Sequence, residues 1–344
     1  MLDRIKLMKK NIEKIDNSPV IFYYYFDLTD TNVYCDLIQE RFLKSGHTRE
    51  IEFRSWDCYN DPPAKDGDVY CYDALALSTM VDEGYIRPLP DIIDTSNIFE
   101  WVLERSKIKK KIYGVPLMSC ASVLISRSDE PTKIKNIYDL PSGLAAPMKS
   151  MILNFYLYAF CSFQNRKDEI MKAMKQLKKV IGEEGYKKSR FAVYDGIERF
   201  KKGECRYILG FTEDLRNLEP GSYNVELLNC SDSDVNEMPF FMMDYASVGK
   251  NVSVDKLLDC IDILEIMADS DFVYDVCTAN GKLQYMLPAN KTIYPRLAEL
   301  DPIYNKFYEM INNEDNCLLR FGKHYYGEHE KMEEEILRML EEDV

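Results

Sequence analysis

The sequence predicts an α/β protein built from two lobes, with a cleft between them and a helical C-terminal return. Its 344 residues are about twice the length of a usual single domain. Apolar runs bounded by turn residues alternate with stretches of helical periodicity, before residue 118 and again after it. Two apolar strands, near residues 118 and 247, connect these units. We therefore expect a discontinuous first lobe (1–118 plus 247–344) and a second lobe (119–246).

The first unit opens with apolar residues at helical spacing, from Ile5 to Ile15, and continues in the order strand, helix, strand. Its first strand is a continuous apolar run, which is typical of a strand buried on both faces of a parallel sheet. Gly46 and Gly84 follow the two later helices, as C-terminal glycines do. The predicted elements are Val20–Phe26, Thr31–Ser45, Glu50–Ser55, Asp68–Tyr72, Ala74–Glu83 and Tyr85–Leu89.

The second unit repeats the strand–helix–strand pattern after two helices, and the chain beyond residue 254 is nearly all helical. The predicted elements of this unit are helices Ser150–Cys161 and Arg166–Ile181, then Phe191–Tyr194, Asp195–Lys202, Arg206–Phe211, Tyr223–Leu228 and Phe240–Val248. The helical return comprises Val254–Ala268, Asp271–Thr278, Arg296–Leu300 and a run from Pro302 onward.

Charge argues against several classes of partner. Lys and Arg number 44 and Asp and Glu 58, so the formal net charge is −14. Nucleic acid and anionic membrane surfaces repel such a protein. No apolar run approaches the ~18 residues of a membrane span. The N-terminal stretch MLDRIKLMKKNIEKI is charged where an export signal needs an apolar core, so a cytoplasmic location is expected.

Cysteine and histidine usage predicts neither a disulfide scaffold nor a metal centre. Ten cysteines are spread along the chain without a CxxC pair, and there are three histidines. We expect no metal and no cofactor.

One cysteine stands apart because it lies in the first predicted crossover, Ile112–Arg127, with the sequence IYGVPLMSCASVLISR. Gly114 and Pro116 allow the change of direction that a crossover between lobes needs. Taken alone, Cys120 is more often a small core residue than a nucleophile.

Ligands of open α/β sheets bind at the carboxyl ends of strands, and the predicted strand ends combine carboxylates, tyrosines and this thiol. Aromatic faces together with carboxylates suit a planar organic cation. No Gly-rich loop suggests a phosphate site. The candidate positions are Tyr23–Asp27, Asp73, Cys120, Tyr194, Asp195, Glu213 and Asp244.

Each carboxylate also has a purely structural interpretation. Asp73 precedes a helix and is as well explained by an N-cap, worth about 1 kcal/mol, as by a ligand contact. A turn and cap is the favoured interpretation of Asp195, and Glu213 also fits a capping role. Asp244 lies in the apolar strand FFMMDYASV, where a carboxylate needs a partner or a function. Of Tyr23–Tyr25, at most two rings reach a cleft.

The predicted architecture resembles the type-2 class of periplasmic solute-binding proteins. Within it, four segments resemble thiaminase I and occur in that family's order: DVYCYDALALSTMVDEGYIRPLP, YGVPLMSCASVLISR, ILGFTEDL and YMLPANKTIYP. The resemblance extends from about residue 19 to 310. A cysteine four residues after the GVP turn is not a general feature of solute-binding proteins.

The resemblance implies a type-2 bilobal fold and a cysteine enzyme that acts on thiamin. Cys120 matches the family's nucleophile and Glu213 its catalytic glutamate. The positions that match its substrate contacts are Tyr23, Tyr25, Asp73, Tyr194, Phe211 and Asp244. The implied partners are thiamin or an analogue and an amine, thiol or water co-substrate, and the protein is expected to be a monomer.

Two departures concern the substrate. The family has tyrosines where this chain has Phe211 and Met242, so two hydroxyls are absent. Two alternatives therefore stay open. One is a binding protein for thiamin or a related pyrimidine without catalysis. The other is a related Cys/Glu enzyme that acts on a different heterocycle.

Overall fold

The computed structural model describes residues 18–25, 31–90, 93–129, 137–140, 142–146, 148, 167–191, 195–227, 240–313, 317–318 and 328–342. Several predictions lie outside these residues. They are the N-terminal helix from Ile5 to Ile15, the helix Ser150–Cys161, and the candidates Asp27 and Tyr194.

The sheet begins with three parallel strands in the order β2–β1–β3. These are β1 (Val20–Tyr24), β2 (Ile51–Ser55) and β3 (Val69–Asp73). Every residue of β3 is buried. A strand in the interior of such a sheet is covered on both faces, whereas the edge strand β2, with the sequence IEFRS, is partly exposed. The predicted strands agree with these bounds to within two residues.

Two long strands then carry the chain between the lobes. β4 (Val115–Arg127) and β8 (Phe240–Val248) are antiparallel neighbours at the centre of the sheet. β8 also pairs with β3, while β4 continues along β6 (Tyr207–Phe211), with β5 (Leu144–Ala145) beyond it. The path is therefore β2–β1–β3–β8–β4–β6–β5.

Three further strands attach to this path. β7 (Tyr223–Leu227) and β9 (Leu287–Pro288) pair with β4, and β10 (Cys317–Leu318) pairs with β8. The helices are α1 (Thr31–Lys44), α2 (Leu77–Asp82), α3 (Glu100–Ser106), α4 (Lys167–Ile181), α5 (Glu183–Phe191), α6 (Gly196–Lys201), α7 (Val254–Ala268), α8 (Ser270–Cys277), α9 (Tyr294–Leu300), α10 (Ile303–Ile311) and α11 (Glu328–Glu342). None of them, within the described ranges, is long and apolar enough to cross a lipid bilayer.

Buried apolar side chains form one large core and a smaller one. The smaller core joins Leu124 of β4 and Leu209 of β6 to Met174 of α4. It also contains three residues of α11, namely Ile336, Leu337 and Leu340. The C-terminal helix therefore packs with the second α/β unit, whereas the predicted division assigns it to the first lobe. Its apolar stripe indicates burial but not the surface that it covers. The boundaries at residues 118 and 246 stay a prediction.

Candidate active site

The sheet register brings the predicted site residues onto one face. Asp73 of β3 lies directly opposite Asp244 of β8, and Met242 of β8 lies opposite Cys120 of β4. Ser122 of β4 in turn lies opposite Phe211 of β6. Side chains directly opposite each other share a face, as do residues i and i+2 of one strand. The face thus carries Asp73, Asp244, Met242, Cys120, Ser122 and Phe211.

Burial along β4 shows which face is open. Cys120 and Ser122 are partly exposed, whereas Ser119, Ala121 and Val123 between and beside them are fully buried. The thiol therefore lies on the accessible face of the strand, although all the apolar residues around it suggest a core position.

A β-bulge gives the thiol this orientation. Pro116 pairs with Tyr245, and Ser119 pairs with Met243. Between these two pairs β4 contains one residue more than β8. If the register of Pro116 continued without the bulge, Cys120 would lie opposite Phe241, which is fully buried. Because side chains alternate between faces, the bulge exchanges the two faces for the rest of the strand.

The two aspartates form a cross-strand pair of like charge with little exposure. Asp73 is 3% and Asp244 9% exposed. Like charges directly opposite each other in a sheet are destabilising, and a cation bound beside them relieves the repulsion. The Asp73 Oδ1 accepts from the Leu75 amide at 2.8 Å, so the capping interpretation of this residue is also correct.

Sequence reasoning missed Tyr59, which contacts the pair directly. Its hydroxyl donates to the Asp73 Oδ2 at 3.1 Å, and its ring packs edge-on against Tyr25 with 5.0 Å between centroids. Tyr59 follows β2 in an irregular segment, where no periodicity marks it. The structure thus joins Tyr25, Tyr59 and Asp73 into one group at the end of the parallel strands.

Tyr23, in contrast, is not brought to this group. Its hydroxyl donates to Asp66 and accepts from Arg54, and its ring stacks on Tyr70 at 5.8 Å. Tyr70 and Asp73 lie on opposite faces of β3 because they are three residues apart. The prediction of a cleft contact for Tyr23 does not fit this placement. Tyr25 has the same parity but lies beyond the last residue of β1, where it contacts Tyr59.

The predicted cap at Asp195 is likewise not formed. Asp195 precedes α6, but its side chain makes no capping hydrogen bond. Its carbonyl oxygen instead accepts from the Arg199 amide at 3.0 Å.

Glu213 lies on a tight turn that begins where β6 ends. Residues Thr212–Asn217 form a 3₁₀ helix directly after Phe211. Since Phe211 is opposite Ser122, this helix begins where the ladder with β4 ends, two residues along β4 from Cys120. The carboxylate is partly exposed, and its Oε2 lies 3.4 Å from the hydroxyl of Thr212.

Six other thiols differ from Cys120 in their setting. Cys35, Cys58, Cys71, Cys205, Cys260 and Cys277 are all buried, whereas Cys120 is partly exposed. Burial raises the pKa of Cys35 and of Cys277 to about 12 and that of Cys205 to about 11. Since the thiolate is the nucleophile, these side chains are unreactive near neutral pH. Among these seven thiols, Cys120 is therefore the candidate nucleophile.

Comparison with known proteins agrees with this geometry. No protein-family model matches the chain. Thiaminase-1 of Paenibacillus thiaminolyticus is 25% identical, over 79% of this chain and 76% of that protein. Clostridium botulinum thiaminase I, solved in complex with thiamin, superposes with a TM-score of 0.83 at 21% identity, over 94% of this chain and 100% of that chain. The chain resembles thiaminase I.

The likeness to thiaminase I lies within a wider fold class. An ABC substrate-binding protein of Listeria monocytogenes, in complex with cycloalternan, superposes with a TM-score of 0.69 at 14% identity. That match covers 96% of this chain and 95% of the other. The predicted bilobal α/β fold of solute-binding proteins is confirmed.

Proposed function

We propose that the protein is a transferase of the thiaminase I type, which cleaves thiamin or a close analogue at the methylene and replaces the thiazole by a nucleophile. One observation carries the proposal. The register of four neighbouring strands puts a thiol, a carboxylate pair and two apolar side chains on one accessible face.

The substrate class follows from the charges of this face. Thiamin joins a 4-aminopyrimidine to a cationic thiazolium through a methylene group. Asp73 and Asp244 offer paired carboxylates to the amino group and the cation, and the rings of Tyr25 and Tyr59 add aromatic surface beside them. A neutral sugar offers no positive charge to the two facing carboxylates.

The first half of the proposed reaction uses Cys120 and Glu213. Glu213 takes the thiol proton, and the resulting thiolate sulfur forms a bond to the electron-poor pyrimidine carbon while the ring gains a proton. The bond between the methylene and the thiazolium nitrogen then breaks, and its electron pair leaves with the neutral thiazole.

The second half returns the enzyme to its starting state. Glu213 has by then passed the thiol proton on to the ring, so it can take the proton of the amine, thiol or water that adds to the methylene. The carbon–sulfur bond then breaks, the ring proton leaves to solvent, and Glu213 returns its proton to the thiolate, which releases the product and the free thiol. Such a double displacement predicts ping-pong kinetics. The identity of the co-substrate and a monomeric state remain part of the proposal.

The test compares wild type with Cys120→Ala and Glu213→Gln in the presence of thiamin and an amine or a thiol. We expect wild type to consume thiamin and to form a protein adduct of the pyrimidine mass when the nucleophile is withheld. Cys120→Ala should bind thiamin without either event, and Glu213→Gln should lose about 100-fold or more in turnover.

Other outcomes would overturn the proposal. Wild type that binds thiamin without consuming it would be a binding protein of the same fold. Wild type that neither binds nor cleaves thiamin would require another heterocycle, and the apolar side chains of Phe211 and Met242 would then be the first positions to examine.

A further inference from the structure

We propose that Asp214 and Arg216 are positioning residues that fix the turn carrying Glu213 at the cleft. The proposal rests on the proposed function, because it concerns the orientation of the base. Both residues lie on the 3₁₀ helix Thr212–Asn217, on either side of Leu215, and each makes a bond that anchors this helix.

Asp214 anchors the start of the turn. Its Oδ2 accepts from the Phe211 amide at 2.9 Å, so the side chain reaches back to the last residue of β6. This bond satisfies an amide that the helix leaves without an intrahelical acceptor. It also engages one of the two neighbouring carboxylates in a structural contact, which favours Glu213 as the base.

Gly210 makes room for this bond. A Cβ atom on Gly210 would overlap the Asp214 Oδ2, whereas the next nearest atoms, Asp214 Cγ and Ile208 Cγ2, lie at ordinary contact distances of 3.4 Å. The glycine is therefore required by the position of the Asp214 carboxylate, and not by an unusual backbone angle.

Arg216 anchors the other end of the turn to a different part of the chain. Its Nε donates to the Gln284 carbonyl at 2.7 Å, and its Nη2 lies 3.4 Å from the Met286 sulfur. Gln284 and Met286 precede β9, which pairs with β4 at Ser119, next to Cys120. The turn is thus tied to the strand of the thiol through β9 as well as through β6.

Leu215 completes the support, since it is fully buried between the two anchors. With its backbone held on both sides, Glu213 has only its side-chain torsions to move. A base held in this way is already positioned before each turnover, so its segment does not have to become ordered. The loss of either anchor should therefore reduce catalysis more than substrate binding.

The first experiment needs no thiamin, so it does not depend on the proposed function. The rate of Cys120 alkylation by iodoacetamide is measured against pH by mass spectrometry of its peptide. Glu213→Gln should move the midpoint to lower pH, by roughly 0.5–1 unit, because a like charge beside the thiolate is gone. Asp214→Ala and Arg216→Ala should move it in the same direction by a smaller amount. Loss of the Arg216 charge by itself would raise the midpoint, so a downward shift in that variant reports displacement of Glu213.

The second experiment is a double-mutant cycle on thiamin cleavage. Gly210→Ala should lower kcat about 10-fold or more in the wild-type background with KM nearly unchanged, because the new methyl group displaces the Asp214 carboxylate. In the Asp214→Ala background the same substitution should have little further effect, since the obstructing oxygen is absent.

Asp269→Ala is the matched control. Asp269 caps α8 by accepting from the Asp271 and Phe272 amides, both at 3.0 Å, and α8 contributes no residue to the candidate site. It should lower the midpoint of thermal unfolding without changing the alkylation profile or kcat. If Asp214→Ala behaves like this control, or if Gly210→Ala and Asp214→Ala are additive, the positioning role is overturned. If wild type leaves thiamin intact but the alkylation shifts are found, the proposed function fails while the positioning of Glu213 stands.

Discussion

Two groups of buried aspartates, one around Asp301 and one in the candidate site, differ in the groups that face their carboxylates. Asp301 is 3% exposed, as Asp73 is. Its Oδ2 accepts from the hydroxyls of Tyr223 and Tyr285, at 3.1 and 3.0 Å, and its Oδ1 accepts from the Ile303 amide at 3.0 Å. All of these donors belong to the protein, and they join β7 to the start of α10.

The carboxylates of the cleft pair, Asp73 and Asp244, have different neighbours. Asp73 is held by Tyr59 and by the Leu75 amide, but the side chain directly across the ladder from it is another carboxylate. The protein thus places two acids together where each weakens the other. The Asp301 carboxylate thus faces hydrogen-bond donors, whereas the two acids of the cleft pair face each other.

The largest expected effect comes from breaking the Asp301 group. Asp301→Ala leaves two buried phenols and one helix amide without their acceptor, so the free energy of unfolding should fall by about 3–5 kcal/mol. Urea denaturation measures this change. Asp301→Asn keeps an acceptor of the same shape and should lose less than half as much. A loss below about 1 kcal/mol for the alanine variant would show that this group is not a stabilising junction.

In the cleft we expect a smaller effect on stability and a loss of ligand affinity. Asp244→Asn removes one of two facing charges, so stability should stay constant or rise by up to about 1 kcal/mol. The affinity for thiamin, measured by calorimetry on a Cys120→Ala background, should fall about 10- to 100-fold because a charged contact is lost. If the variant is strongly destabilised and binds as before, Asp244 belongs with Asp301 and not with the ligand site.

The smallest effect concerns the pH dependence of the Asp301 group. Burial raises the pKa of Tyr285 to about 12, whereas a tyrosine in the unfolded chain titrates near 10. The folded protein therefore keeps a proton that the unfolded chain loses, so this contribution is complete below pH ~10 and is lost as the pH rises to ~12.

Tyr285→Phe should remove this contribution and cost about 1 kcal/mol at neutral pH, where one hydrogen bond is lost. Urea unfolding at pH 8 to 11.5 should give a shallower decline of stability for the variant than for wild type. Equal slopes would assign the alkaline loss to other buried tyrosines, such as Tyr304, whose pKa is also raised by burial.

The sequence was informative about residues whose chemistry conflicts with their surroundings. Asp244 in an apolar strand and Cys120 after a GVP turn were both singled out, and the register places them on one face. Strand ends also located Asp73 and Glu213, because loops after strands face the ligand side in α/β folds.

Other features depend on pairing, which a single strand does not encode. Tyr23 and Tyr25 have the same parity, and only the contact of Tyr25 with Tyr59, beyond the last residue of β1, distinguishes the two. Tyr59 lies in an irregular segment without any pattern. The apolar stripe of α11 predicts that the helix is packed, but it does not predict that the helix packs on the smaller core.

The bulge in β4 makes the position of the thiol insensitive to the exact length of the strand. A bulge absorbs one extra residue and lets the ladder resume, so the residues beyond it keep their partners and their faces. Deleting Leu117 or Met118 would turn the interval between Pro116 and Ser119 into a regular ladder, in which Cys120 would still lie opposite Met242. A strand of unchanged length that paired without the bulge would instead turn Cys120 towards the buried face.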